Sequence, residues 1–210
     1  TKDSFEVVGV GSRTGVKAVN DKFDLKLGPI YRRDFTCAVQ DEMPTTPLLG
    51  MTFLDDFTVT VDEANRNVIL RKKGSTAAAD ASRGRGRAIA VPYELEGKSL
   101  LVDTRINGRA YKMIFDTGAS GISFSRGDWS KLGLEIPADA RSGTSSGIAG
   151  SVNTQFFNVD TLQVGSIKQT NVPVMVTESS RPCALLGQTF FMNYRYEVDS
   201  AKRVIYFFDE

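Results

Sequence analysis

The 210 residues contain no histidine and only two cysteines. Without histidine, His-based acid/base pairs, Ser-His and Cys-His nucleophile systems and most catalytic zinc sites are excluded. Cys37 and Cys183 fit no metal-ligand spacing. Cys37 sits in an alternating strand pattern and reads as an apolar residue, whereas Cys183 follows Pro182 in a loop; the sequence leaves open whether the two pair. Charge of one sign is also lacking. With 26 basic and 25 acidic residues the net charge is +1, which argues against broad electrostatic capture of nucleic acid or anionic membrane. No apolar run approaches the ~20 residues of a membrane span. Thr1 is preceded by no initiator methionine or signal-type stretch, so the chain is expected to be a mature form or a piece of a longer protein. Chemistry must fall to carboxylates, hydroxyls or lysines, with no metal or other cofactor expected.

What is present is a succession of strand signals. Phe23–Leu27 alternates apolar and polar and ends at Gly28-Pro29; Phe35–Val39, Phe57–Val61 and Asn67–Leu70 follow. A short helix is expected from Met51 to Asp55 and a hairpin loop from Asp62 to Arg66. Residues 73–88 are small, Gly/Ala/Ser-rich and basic at the end, which predicts a flexible linker. Its Arg83-Gly84-Arg85-Gly86-Arg87 run also reads as a short RNA contact, but the near-neutral balance elsewhere disfavours this, and no nucleic-acid partner is expected.

Beyond the linker, strands are expected at Ile89–Leu95, Leu100–Ile106 and Arg109–Phe115. Asn107-Gly108 between the last two is the strongest hairpin signal in the chain. After Ile122–Phe124 a helix is predicted through Leu132, with Ser125 as N-cap and Asp128 reaching back. That capping position argues against reading Arg126-Gly127-Asp128 as an adhesion motif. Arg141 to Gly150 is Gly- and Ser-rich and is expected to be a mobile hairpin tip. Strands at Thr154–Val159, Leu162–Val164, Val172–Val176, Tyr194–Val198 and Arg203–Phe208 complete the series.

One stretch stands apart, Tyr111 to Ser120. A strand-like run delivers a lone carboxylate, Asp116, followed at once by Thr117, Gly118, Ala119 and Ser120. A carboxylate ending an apolar strand is costly to bury unless something satisfies it, and a glycine two residues on lets the backbone turn and come close to its neighbour. By itself the stretch also reads as an ordinary turn.

The chain repeats itself at an offset of 137, set by Gly50 and Gly187. Leu25 falls on Leu162, Gly28 on Gly165 and Val39 on Val176; Leu48-Leu49-Gly50 falls on Leu185-Leu186-Gly187, and Val61-Asp62 on Val198-Asp199. A unit this long reads as a domain duplication, because solenoid units run about 20–50 residues. The counterpart of Asp116 falls upstream of Thr1. The first copy is therefore expected to lack its opening strands and its key turn, and to begin near its own glycine-rich loop, residues 8–15; a natural cut there or a shortened chain both account for this.

These parts, in this order, resemble the retropepsin-like aspartic proteases, especially their bacterial branch. The resemblance spans residues 89–210: Phe115-Asp116-Thr117-Gly118-Ala119-Ser120 after an Asn-Gly hairpin, a short helix ending Lys131-Leu132-Gly133-Leu134, the Gly/Ser-rich region, and Ala184-Leu185-Leu186-Gly187 with its closing strand pair. It implies an all-β fold, a closed β-barrel of the acid-protease type. One complete lobe (89–210) would follow a linker (73–88) and the C-terminal part of a first lobe (1–72). It further implies that Asp116 is catalytic, that Thr117, Gly118 and Ser120 support the loop, and that Ser146, Gly147, Ile148, Ala149 and Gly150 form a flap over a peptide. Leu186 and Gly187 would pack beneath the catalytic loop. Bacterial relatives with tandem lobes are often exported or membrane-tethered, so an exported location is the expectation that resemblance carries.

Such an enzyme needs two carboxylates, and the chain has one Asp-Thr-Gly; in Asp103-Thr104-Arg105 an arginine replaces the turn glycine. The second would come from a homodimer mate or from the upstream part of the first lobe. The expected activity is endopeptidase cleavage of a peptide or protein substrate. The alternative is a catalytically silent module that binds peptide or dimerises.

Overall fold

The computed structural model describes residues 4–7, 16–40, 46–62, 64–73, 88–147, 150–178 and 184–208. The linker run 83–87, the glycine-rich loop 8–15, Cys183 and the tip residues Ile148 and Ala149 lie outside the described residues. Among the described residues Cys37 is free and half-buried. Among the described residues no helix is long and apolar enough to cross a membrane.

Strands β1 (Ser4–Val7), β2 (Val16–Leu27) and β3 (Ile30–Val39) form an antiparallel three-stranded sheet. Helix α1 (Met51–Leu54) and the hairpin β4 (Phe57–Asp62) and β5 (Asn67–Lys72) follow. The next elements are β6 (Ala88–Glu96), β7 (Ser99–Ile106), β8 (Arg109–Phe115), β9 (Ile122–Ser125) and α2 (Arg126–Leu132). The chain continues through β10 (Arg141–Gly147), β11 (Gly150–Val164), β12 (Ile167–Thr177), β13 (Leu185–Leu186) and α3 (Gln188–Phe191), and ends with β14 (Arg195–Asp199) and β15 (Val204–Phe208).

The all-β expectation holds. Strands β7, β8, β13, β9, β12 and β11 are hydrogen-bonded in succession, and β11 pairs back onto β7, which closes a ring of six strands. Closure removes free edges and leaves one face of every strand inside. The core is made there: Val102, Ile106, Met113, Ile122, Phe124 and Leu162 are each at most 1% exposed. Outside the ring, β6 pairs with β15, β15 with β14, and β14 with β4 of the leading hairpin.

Local chemistry accounts for the turns that matter. Asn107 and Gly108 both have positive φ, 48° and 82°, as a two-residue hairpin turn requires. The Asn107 carboxamide oxygen accepts from the Thr161 N–H at 2.9 Å, tying this turn to β11. Helix α2 carries the expected capping box: Ser125 Oγ accepts from the Asp128 N–H, and Asp128 Oδ2 accepts from the Ser125 N–H. Asp128 is 1% exposed, which disposes of an adhesion role for Arg126-Gly127-Asp128.

Three expectations change. Arg141–Gly147 is a strand, not a loop; it pairs with β11 residue by residue, up to Gly147 opposite Gly150. Its weak propensity is overridden because the neighbouring strand supplies every ladder partner. Thr154–Val159 and Leu162–Val164 are one continuous strand, β11. Strand β1 was not anticipated, and it forms by pairing with β2.

Tyr111 on β8 donates to Asp128 Oδ1 at 2.6 Å. Burial first, then this hydrogen bond and the Asp128 charge, push the phenol well above its ordinary value. The folded protein thus retains a proton that the unfolded chain releases near pH ~10. This stabilisation is complete below that pH and is lost as the pH rises further. Denaturant unfolding at stepped pH should show the parent chain losing stability above pH ~10 more steeply than Tyr111→Phe; parallel losses would contradict the assignment.

Candidate active site

Asp116 stands at the point where β8 leaves the ring. The residue before it, Phe115, is fixed in an aromatic cluster, with ring centroids 4.7 Å from Phe191 and 5.5 Å from Tyr196. The turn that follows is held by the segment around β13. That short strand lies between β8 and β9, parallel to the first and antiparallel to the second. The Ile114 N–H donates to the Ala184 carbonyl at 2.8 Å and the Asp116 N–H to the Leu186 carbonyl at 3.1 Å. On the far side of the turn the Gln188 N–H donates to the Ala119 carbonyl at 2.8 Å, and the Thr189 N–H to the Ser120 carbonyl at 3.2 Å.

Two side chains reinforce this clasp. Gln188 Nε2 donates to the Thr117 carbonyl at 3.0 Å and Thr189 Oγ1 to the Ser120 carbonyl at 2.8 Å. Sequence reasoning missed both residues; the one signal was their position directly after Leu-Leu-Gly. The clasp works only because residue 187 is glycine. A Cβ there would lie 2.2 Å from the Gly121 carbonyl oxygen and 2.5 Å from that of Ala119, both backbone atoms that cannot swing away.

The Asp116 carboxylate is half-buried and accepts one hydrogen bond among the described residues, from the Gly118 N–H to Oδ1 at 2.9 Å. An ionised carboxylate has about four acceptor positions, so most of this one's capacity is unfilled among the described residues. Gly118 does not adopt a left-handed conformation; a Cβ there would approach Asp116 Oδ1 to 3.3 Å, a tight contact that a small shift of the carboxylate would relieve. Thr117 and Ser120 are exposed. Ser120 engages through its carbonyl, and among the described residues its hydroxyl makes no recorded hydrogen bond to Asp116. Asp103 is not part of this site: it lies on β7, opposite Lys112 on β8, with Lys112 Nζ 3.0 Å from Asp103 Oδ1.

The β10–β11 hairpin stands beside the end of the turn. Ser146 and Ser151 hydroxyls meet at 2.8 Å across it, and Ser145 Oγ donates to Met175 Sδ at 3.5 Å. Met175 in turn lies over Gly121, where a Cβ would come within 2.5 Å of its methyl carbon. A cavity of about 190 Å³ opens here, lined by Gly121, Ile122, Arg141, Phe156, Met175 and Thr189 among others. Among the described residues no three His, Cys, Asp or Glu side chains converge as a metal site.

Residues 102–193, which contain the Asp116 turn, α2, the β10–β11 hairpin and β13, match the family described as gag-polyprotein putative aspartyl protease. Among solved structures the chain is similar to a retropepsin-like aspartic protease from Rickettsia conorii, at 17% identity and a TM-score of 0.47, over 60% of this chain and 96% of that one. No curated protein matches.

The backbone approach at Gly187 gives a direct test. Gly187→Ala should cost at least about 1–3 kcal/mol in urea unfolding, since the alanine methyl can be fitted only by displacing the turn. Gly127→Ala is the control: its Cβ meets nothing closer than Ser125 Oγ at 3.6 Å, and the substitution should be neutral or slightly stabilising. Equal effects at the two positions would contradict the account.

Proposed function

We propose that this protein, whose residues 102–193 match the gag-polyprotein putative aspartyl protease family, is an aspartic endopeptidase with Asp116 as a catalytic carboxylate. The observation that carries the reading is the state of that side chain. It sits on a turn held from both sides, half-buried, accepting only the Gly118 N–H among the described residues. A carboxylate kept rigid yet largely unpaired is ready to meet a water and a second carboxylate.

The chemistry follows from charge. Two carboxylates about 3 Å apart cannot both ionise and therefore share a proton, as is established for aspartic proteases. The ionised partner takes a proton from a bound water as that water attacks the scissile carbonyl carbon. The protonated partner donates to the carbonyl oxygen. Collapse of the resulting tetrahedral species returns a proton to the leaving amine and breaks the C–N bond. Thr117, whose side chain is exposed, would pin this turn to its counterpart. Gly118 would hold the carboxylate by its N–H and admit the facing loop, and Ser120 would support the turn through its carbonyl. Ser146 to Gly150 would close over an extended peptide, with Leu186 and Gly187 as the platform beneath.

The second carboxylate would come either from the symmetry mate of Asp116 in a homodimer or from a counterpart turn 137 residues earlier in the same polypeptide. That the described residues hold one such turn favours a second reading, a lobe that binds peptide without cleaving it. The two readings separate in one experiment. Asp116→Asn in the full-length polypeptide should lower cleavage of quenched peptide substrates between pH ~3 and ~8 by at least about 10²-fold, with unfolding unchanged. Cleavage that persists in the variant, or none in the parent, would overturn the peptidase reading.

A further inference from the structure

Beside the exit of the Asp116 turn, the cavity of about 190 Å³ carries a charge that no described residue answers. Its walls follow from strand register. Arg141 on β10 stands opposite Phe156 on β11, and Phe156 stands opposite Met175 on β12. Directly paired residues share a face of a sheet, so these three side chains form one row across three strands. The Ser145 Oγ contact to Met175 Sδ at 3.5 Å agrees with that face, since Ser145 lies four residues along β10 from Arg141. The alternate residues Val174 and Val176 turn the other way, into the core.

Two glycines shape the space. A Cβ on Gly143 would meet the Phe156 ring at 3.0 Å, so the ring lies flush against β10. A Cβ on Gly121 would come within 2.5 Å of the Met175 methyl carbon and 3.8 Å of Thr189 Oγ1. Any side chain at residue 121 would therefore project into the floor of the cavity, and glycine leaves that floor open.

Arg141 is the one ionisable residue that lines the cavity. It is exposed, and among the described residues it has no hydrogen bond, ion pair or ring contact. Other cations of this lobe are engaged: Lys112 holds Glu94 and Asp103 at 3.0 Å each, and Arg126 donates to Gln155 at 3.1 Å. A charge on β10 also discourages pairing with another sheet, because β10 ends the strand order. That accounts for an arginine somewhere on the edge, but not for a cavity opened beside it. A guanidinium next to aromatic and thioether walls suits a carboxylate on a short apolar stem: the planar fork takes the two oxygens, and the walls take the methylenes.

The cavity is within reach of a peptide held at Asp116. Gly121 lies five residues on, a span of at most about 18 Å. The bond from the Ala119 N–H to the Asp116 carbonyl, 3.3 Å, folds the chain back and shortens it. An extended peptide rises about 3.3 Å per residue, so five of its residues cover the same distance. Resting on the peptidase reading above, we propose that this cavity is a substrate subsite that selects an acidic side chain, with Arg141 as the specificity-determining residue. The substrates are then peptides that carry a glutamate, or less favourably the shorter aspartate, within about five positions of the cleaved bond.

Labelled peptides of about ten residues, in which a single Glu or a Gln in its place is walked along the chain, test this on the full-length polypeptide. At one position within five residues of the cut, Glu should exceed Gln in kcat/KM, with the difference carried by KM. Arg141→Glu should lower that Glu-to-Gln ratio at least about five-fold, and Arg141→Lys, which keeps the charge but not the fork, should still favour Glu. Arg126→Glu makes the same change in net charge outside the cavity and should leave the ratio within about two-fold. An equal fall in that variant overturns the subsite in favour of general attraction. Cleavage with no preference for Glu, or a preference that survives Arg141→Glu, overturns the proposal and leaves the peptidase reading standing. If no sample is cleaved, fluorescence anisotropy of the same peptides decides. A preference for Glu that Arg141→Glu removes upholds the subsite and sinks the peptidase reading, and equal binding of Glu and Gln peptides, or none, sinks both.

Discussion

The seating of Leu185-Leu186-Gly187 between β8 and β9 is the contact on which the rest depends. It supplies backbone partners to both strands that flank the Asp116 turn, and it fills the ring with a fully buried leucine. Gly187 then lets α3 begin directly against the turn, so that Gln188 and Thr189 reach its carbonyls. Nothing else recorded among the described residues constrains the Asp116 carboxylate beyond its bond from Gly118. The position of Asp116 is thus imposed by packing and backbone hydrogen bonds on the turn, not by partners of its carboxylate among the described residues.

The same three residue types occur at Leu48-Leu49-Gly50 without their cover, which separates what a sequence specifies from what a neighbour supplies. Local dihedrals survive there: helix α1 starts after Gly50 as α3 starts after Gly187, with matching backbone angles. Burial does not survive, because hydrophobic stabilisation needs a second surface. The leading residues contribute accordingly little to the core, which runs from Val91 to Phe207 with Val61 packed against it.

Features written in short-range chemistry were legible in the sequence. Asn107-Gly108 turned as its residue types demand, and Ser125 with Asp128 capped α2 as their spacing requires. The Asp116 turn was legible because strand, carboxylate and glycine are contiguous. Long-range partners were not. Arg141–Gly147 has the composition of a loop and becomes a strand because β11 runs beside it. Whether β11 breaks near Asp160 depends on β7 and β12, neither of which is adjacent in sequence to that point. Gln188 and Thr189 act on carbonyls about seventy residues away, a pairing that no local pattern encodes. Ser120 meets this segment through its carbonyl, which accepts from both the Thr189 hydroxyl and the Thr189 N–H.

The central claim is that Asp116 is one of two carboxylates that act on the same water and the same carbonyl. The most direct measurement is a crystal structure of the full-length polypeptide bound to a peptide-like inhibitor with a hydroxyl at the scissile position. The account predicts that the hydroxyl lies within hydrogen-bond distance of Asp116 and of a second carboxylate facing it. A hydroxyl bound away from Asp116, or beside Asp116 with no carboxylate opposite, would contradict it.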